Sequence, residues 1–239
     1  MIESPQNEKL KLVRKLRERK HREREGLFAT EGEDLLEAGL AACVEPRFVL
    51  VAAGSGLAGE EVEPKLLDDV SSLGSGTRVI AVWSRAWSEK PVAPCVYLHG
   101  VGDPGNVGTI VRTADALLDG PVVLGPDCAD PFSPKAVRAS MGSIFSHPPA
   151  KAALETTPEP RVALVAHRGQ ELDTLDGAAT VCLGAEREGL PDEVLAACDV
   201  QVTIPLREGG AESLNVAAAA AIAAQRISSL AMRKAQSDG

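Results

Sequence analysis

The sequence predicts an α/β protein of two domains, the second built around a parallel sheet, and three observations lead there. Short apolar stretches alternate with helix-period stretches along the whole chain. After Cys95 the apolar stretches are hydrophobic nearly throughout, as strands covered on both faces must be. Ser88–Pro94 carries two prolines and mixed polarity, which marks a linker. The expected domains are therefore 1–90 and 95–239.

The elements follow in order. Residues 7–25 read as one helix, with Leu10, Val13 and Leu16 on one face and Lys11, Lys15, Arg19 and Arg22 along another. That cationic row is either a solvated face or a phosphate-contacting one. Residues 27–32 form a short strand and turn, Asp34–Ala41 a helix and Arg47–Ala53 a strand. Residues 54–64 are a loop rich in Gly and Glu, 65–73 a short helix and 78–82 a strand. Beyond the linker, strands are expected at Cys95–Val101, Val122–Leu124, Arg161–Ala166, Thr180–Gly184 and Val200–Ile204. Helices are expected at Val107–Leu118, Pro134–Met141, Asp192–Ala197 and Leu214–Met232.

Composition removes several classes of function. No apolar run approaches the roughly 20 residues that cross a bilayer, and the polar N-terminus is not a secretory signal. Five cysteines without a CxxC pair and four scattered histidines give no metal-ligand spacing and fit reduced thiols in a cytoplasm. The net charge of −9 argues at first against a nucleic-acid partner. Its distribution argues the other way: residues 1–26 hold nine Lys/Arg against five Asp/Glu, and the rest holds sixteen against twenty-nine. A basic arm on an acidic body results.

Three segments could carry chemistry. The first runs from Gly102 to Ala114, a Gly/Pro-shaped loop opening a helix, with Asn106 expected as the N-cap. Arg112 follows under two turns later, either salt-bridged at the surface or buried beside the sheet end, where a guanidinium would need an anion. The second is Leu183-Gly184-Ala185-Glu186-Arg187-Glu188-Gly189-Leu190-Pro191, which by local pattern alone is an ordinary strand-to-helix loop, but whose strand end and polar turn are of the kind beyond which α/β proteins bind ligands. The third runs from Ile204 to Val216, with Ser213 expected as the N-cap of the last helix. Asn215 is then a weak helix former inside a strong helix, which calls for a polar partner. The alanines from 217 to 221 suit close approach of another backbone, and an arginine at an outward one, such as Ala220, is expected to split a subunit contact or to lower ligand affinity.

Together the three segments resemble the motifs of the SpoU (SPOUT) RNA methyltransferase family. Asn106, Gly108, Arg112, Thr113 and Ala114 match Asn-x-Gly-x-x-x-Arg-Thr-Ala. Leu183, Gly184, Glu186, Gly189 and Leu190 match Leu-Gly-x-Glu-x-x-Gly-Leu. Ile204, Pro205, Leu206 and Ser213–Val216 match Ile-Pro-Leu…Ser-Leu-Asn-Val, with one extra residue at Gly209-Gly210. The stretch 130–142, which includes Lys135 and Arg138, also looks like the family. Asn7, Lys11, Phe28 and Gly32 resemble the ribosomal-protein-like RNA-binding domain fused to such enzymes.

The resemblance implies a C-terminal parallel sheet with a deep trefoil knot, a homodimer, and methylation of a ribose 2′-hydroxyl, in ribosomal RNA more than in transfer RNA. It implies S-adenosylmethionine held by Leu183, Gly184, Ile204, Leu206, Ser213 and Leu214, with no metal and no membrane. It assigns catalysis to Arg112, with Asn106, Glu186, Ser213 and Asn215 positioning substrate and Arg112. Arg112 as a general base sits uneasily with a guanidinium pKa above about 12; stabilising a developing alkoxide is the easier role. RNA contacts are expected from Lys11, Lys15, Arg19, Arg22, Lys135 and Arg138. Two rival readings are weaker. A non-catalytic RNA-binding module would not need Arg112, Glu186, Ser213 and Asn215 intact. A dinucleotide-dependent oxidoreductase is suggested by Gly54-Ser55-Gly56-Leu57-Ala58-Gly59, but Glu60, Glu61 and Glu63 would repel a pyrophosphate and Pro64 interrupts the required helix.

Overall fold

The computed structural model describes residues 1–72, 74–175 and 177–237, apart from the side chains of 173 and 229–237. Its helices are α1 (Glu8–Lys15), α2 (Arg19–Glu25), α3 (Glu33–Ala41), α4 (Pro64–Val70), α5 (Pro104–Leu117), α6 (Pro134–Ser140), α7 (Ser143–Ser146), α8 (Asp192–Ala196) and α9 (Val216–Ser237). Its strands are β1 (Leu27–Glu31), β2 (Phe48–Ala52), β3 (Glu60–Val62), β4 (Val79–Ser84), β5 (Cys95–Leu98), β6 (Val122–Leu124), β7 (Ala150–Lys151), β8 (Arg161–Leu164), β9 (Thr180–Leu183) and β10 (Val200–Val202). Two compact units result. One is Met1–Ala86 with Asp130–Ser146, the other Trp87–Ala129 with the chain from His147 onward.

In the first unit four strands pair in the order β1-β4-β2-β3, parallel only between β2 and β3. β3 lies in the stretch expected to be loop; with Glu60 and Glu61 exposed and only Val62 buried, it offers too little alternation to be read as a strand. A strand after Gly59 also ends the dinucleotide reading, which needs a helix there. The helix expected over 65–73 stops at Val70, and Leu73 lies outside the described residues.

The single helix expected over 7–25 is two helices. Asn7 caps α1, its Oδ1 accepting from the Lys9 amide at 2.9 Å, and Leu10, Val13 and Leu16 are buried as expected. The break at 16–18 leaves the Leu16 and Arg17 carbonyls outside a helix. Arg22 satisfies both, donating at 2.8 Å to each. Its Nε also donates to Asp130 Oδ2 at 2.7 Å, with both side chains only 4% exposed. Arg22 is thus a buried structural cation and not the RNA contact expected from its place in the basic row. Nothing near Arg22 in sequence announces this, because its partner is 108 residues away.

Residues 130–146 join this unit through aromatic packing. Phe28 on β1 meets Phe132 at 5.1 Å and Phe145 at 5.7 Å, and Trp83 on β4 meets Phe145 at 4.7 Å between centroids. The Trp83 indole N–H donates to Thr30 Oγ1 at 2.9 Å, so the ring carries no unpaired donor into the core.

The second unit holds a wholly parallel sheet in the order β10-β8-β9-β5-β6-β7. β5 and β9 pair centrally with Leu98 opposite Leu183. One face packs against α5 and α9 through Ile110, Val111, Ala114, Ala217, Ala220, Ala223 and Ala224. Ala220 is fully buried, so it is not the outward alanine; Ala218 and Ile222 are exposed. Four expected strands stop two or three residues early or one residue early, at Leu98, Leu164, Leu183 and Val202. For β8, β9 and β10, the apolar residues beyond those ends leave the sheet and line a cavity instead.

Candidate functional site

A cavity of about 580 Å³ lies beyond the C-terminal ends of β8, β9 and β10, the position where parallel sheets bind ligands. Its size is within the range of small-molecule sites. All six residues expected to hold the cofactor line it: Leu183, Gly184, Ile204, Leu206, Ser213 and Leu214. Leu206 and Leu214 are more than one-third exposed, leaving apolar surface for a flat ring. The stretch from Leu164 to Arg168 also lines it and was missed, because it is only the tail of an apolar run with no motif. The Gly169 amide donates to Thr203 Oγ1 at 2.8 Å and the Thr203 amide to the Gln170 carbonyl at 3.0 Å, tying the β8 exit to the β10 exit.

Gly184 is required by space. A Cβ there would lie 2.1 Å from the Gly189 carbonyl carbon. The two amides of Ala185 and Gly189 exchange hydrogen bonds at 3.1 and 3.0 Å and close the loop tightly. One residue before the cavity wall, Cys182 shares a hydrogen bond with Cys198, which pushes the Cys182 thiol up and the Cys198 thiol down. Burial pushes the Tyr97 phenol up to about 12. The upward shifts keep Cys182 and Tyr97, in the layer beneath the cavity, uncharged at neutral pH.

A chain of hydrogen bonds joins the three motif loops. Asn106 Nδ2 donates to Glu186 Oε1 at 2.6 Å, and Asn215 Nδ2 donates to Asn106 Oδ1 at 3.1 Å. Asn215 Oδ1 accepts from the amides of Ala217 and Ala218 at 2.9 and 3.3 Å. Asn215, not Ser213, is therefore the cap of α9, which begins at Val216. Its poor helix propensity is explained by its place outside the helix. Asp103, not Asn106, caps α5, accepting from the Asn106 amide at 3.0 Å with Pro104 in the first turn. Freed from capping, the Asn106 amide side chain spans Glu186 and Asn215.

Arg112 is not brought into this group. It lies on the exposed face of α5, is absent from the cavity wall, and forms no ion pair with any described residue. Of the two expected settings for Arg112 the surface one holds, without the expected ion pair among the described residues. Ser213 lines the cavity but forms no hydrogen bond with a described residue. Five of the six expected RNA-contacting cations remain at the surface: Lys15, Arg19 and Lys135 are exposed, Lys11 and Arg138 half-buried. Lys11 pairs with Glu8 at 2.9 Å and Arg19 with Glu23 at 2.8 Å. Among the described residues no helix is long and apolar enough to cross a membrane, and no cluster of His, Cys, Asp or Glu could hold a metal.

Residues 93–225 match the model of the SpoU rRNA Methylase family. The chain belongs to this family. As a SpoU enzyme it is an S-adenosylmethionine-dependent RNA methyltransferase. Residues 7–88 match the model of the MRM3-like substrate binding domain. The 23S rRNA (guanosine(2553)-2′-O)-methyltransferase RlmP of Bacillus subtilis is 32% identical over 92% of this chain and 96% of its own length. A 23S rRNA (uridine(2479)-2′-O)-methyltransferase of Streptomyces viridochromogenes is 34% identical over 49% of this chain and 46% of its own. The AdoMet-bound rRNA methyltransferase of Sinorhizobium meliloti superposes with a TM-score of 0.82 at 28% identity, covering 94% of this chain and 95% of that one. The second and third SpoU motifs thus line the cavity, and the first is joined to them through Asn106, with Arg112 outside the cavity.

Proposed function

We propose that this SpoU enzyme methylates a ribose 2′-hydroxyl of ribosomal RNA as a cytoplasmic homodimer. In this reading residues 1–90 engage the RNA and 95–239 form a knotted catalytic domain. The observation that carries it is the cavity at the sheet end, lined by the residues of motifs two and three and locked to motif one through Glu186, Asn106 and Asn215. Relatives named as 2′-O-methyltransferases of 23S rRNA support the substrate class.

The cavity fits S-adenosylmethionine in volume and in chemistry. Leu183, Ile204, Leu206 and Leu214 give an apolar cleft for an adenine ring, and backbone at Gly184 can approach it closely. Glu186, Glu188 and Glu212 on the wall, set against Arg168 and Arg187, offer carboxylates to the cationic part of such a ligand and guanidiniums to its carboxylate. When bound, the cofactor supplies an activated methyl group on a sulfonium. The chain's own task is then to orient and activate the hydroxyl. Asn106, fixed between Glu186 and Asn215, holds the three loops in register. Ser213, without an internal partner among the described residues, is available to position the substrate.

Arg112 contributes its cation to the developing alkoxide. Its exposed position on α5 fits a site completed across a subunit contact. The exposed side of α9, with Ala218 and Ile222, supplies an apolar surface for such a two-fold contact. Arg112→Ala is expected to leave cofactor affinity unchanged in calorimetry and to lower turnover by about a hundredfold or more. Arg112→Lys should restore little. Near wild-type turnover in Arg112→Ala would remove Arg112 from the mechanism. Ala218→Arg, in place of the buried Ala220, should split the dimer in sedimentation; a wild-type monomer with full activity would end the dimeric reading.

A further inference from the structure

The turn after α6, in the first unit, holds a residue whose conformation and exposure both need an explanation. Met141 caps α6 in the left-handed region, at φ 49° and ψ 38°. That place at a helix end belongs to glycine, or to asparagine, whose side chain can bond locally. Methionine gains no such bond and carries the steric penalty. Its side chain is also 55% exposed, among the largest apolar exposures of the described residues. A strained backbone and a solvated thioether would both be relieved by glycine.

The surroundings hold the strain in place. The Met141 amide donates to the Arg138 carbonyl at 3.1 Å, and the Phe145 amide to the Gly142 carbonyl at 2.9 Å. Gly142, at φ 96°, stands where a Cβ would come within 2.5 Å of the Ala38 Cβ, so the turn is pressed onto α3. Phe145 is anchored among Phe28 and Trp83. A rigidly seated, strained, exposed side chain is the pattern of a residue kept for contact with a ligand.

Charge identifies the ligand. Lys135 is exposed one and a half turns earlier on the same helix, and Arg138 is half-exposed, with its Nη1 donating to Ser72 Oγ at 3.1 Å. Residues 135–141 thus present two cations and one polarizable apolar tip. That combination suits a nucleotide whose phosphates meet the cations and whose base lies on the thioether. A paired base is stacked and closed to such a contact, whereas an unpaired one is open. Resting on the RNA substrate argued above, the geometry points to Met141 as a platform for an unpaired base of that RNA, beside Lys135 and Arg138.

The test uses the full chain and two fluorescent RNA probes, a hairpin with a six-nucleotide loop and a blunt duplex of matched length. Met141→Gly is expected to raise the thermal midpoint by about 2 °C through relief of strain. It should weaken hairpin binding by up to about tenfold, the scale of one sulfur–aromatic contact, and leave duplex binding unchanged. Met141→Leu should retain most hairpin binding. With extracted ribosomal RNA as methyl acceptor, Met141→Gly should raise KM and spare kcat. Unchanged hairpin binding and KM in Met141→Gly would overturn the proposal, as would dissociation of the protein into smaller species, which would assign Met141 to a protein contact. A wild-type chain that binds neither probe and methylates no RNA would overturn the proposal together with the reading on which it rests.

Discussion

The cavity of the second unit is shaped by main chain and aliphatic groups at the strand ends, with charged side chains such as Arg168 and Glu186 added from the loops, whereas the cationic face of the first unit is carried wholly on long, flexible side chains. The cavity loops are fixed by bonds between chain segments, such as Ala185 with Gly189 and Gly169 with Thr203. Little can be added there without moving main chain. The N-terminal cations differ in kind from one another. Lys15 and Arg19 lie in water, while Arg22 has been withdrawn to cap α1 and neutralise Asp130. The contrast teaches that a backbone-built site depends on each small residue, and a charged face depends on which of its members the fold has already used.

Breaking that contrast most severely is Arg22→Ala. It strands a buried Asp130 and two carbonyls, and should cost about 3–5 kcal/mol in denaturant unfolding. A loss under about 1 kcal/mol, the value of a surface pair, would return Arg22 to the exposed face. Gly184→Ala probes the other side. Overpacking against the Gly189 backbone costs about 1–3 kcal/mol, and cofactor affinity in calorimetry should fall by about ten- to a hundredfold. Unaltered affinity would mean that the 184–189 loop does not hold the cofactor. The smallest effect is the most specific: Lys15→Ala should reduce the log–log salt slope of RNA binding by about 0.7–0.9 and leave stability untouched. Arg19→Ala should do the same, and a slope that stays put in both would mark the row as merely solvated.

Much of the second unit was legible in sequence because its information is local. Apolar runs gave every strand of its sheet except the two-residue β7, and three short motifs gave the loops. The residues lining the cavity follow from knowing which loops leave the sheet at one end. What failed there was finer: strand ends overran into the cavity, and the caps of α5 and α9 lie three residues before Asn106 and two after Ser213, on Asp103 and Asn215. Both errors arise because a side chain can cap a helix or bridge a loop, and only the tertiary partner decides which. The first unit was less legible. Helical spacing placed Arg22 beside Lys11 and Lys15, but the break at 16–18 turned it inward toward Asp130, a partner far along the chain. The exposed strain at Met141 has no trace in the residues alone, since φ is not read from a methionine.

The most direct test of the central claim is a map of ribose 2′-O-methylation, read as protection from alkaline cleavage, in total RNA from cells with and without the gene. The account predicts loss of protection at one ribosomal RNA position on deletion, restored by the wild-type gene and not by the Arg112→Ala variant. Identical maps, or a loss confined to transfer RNA, would contradict it.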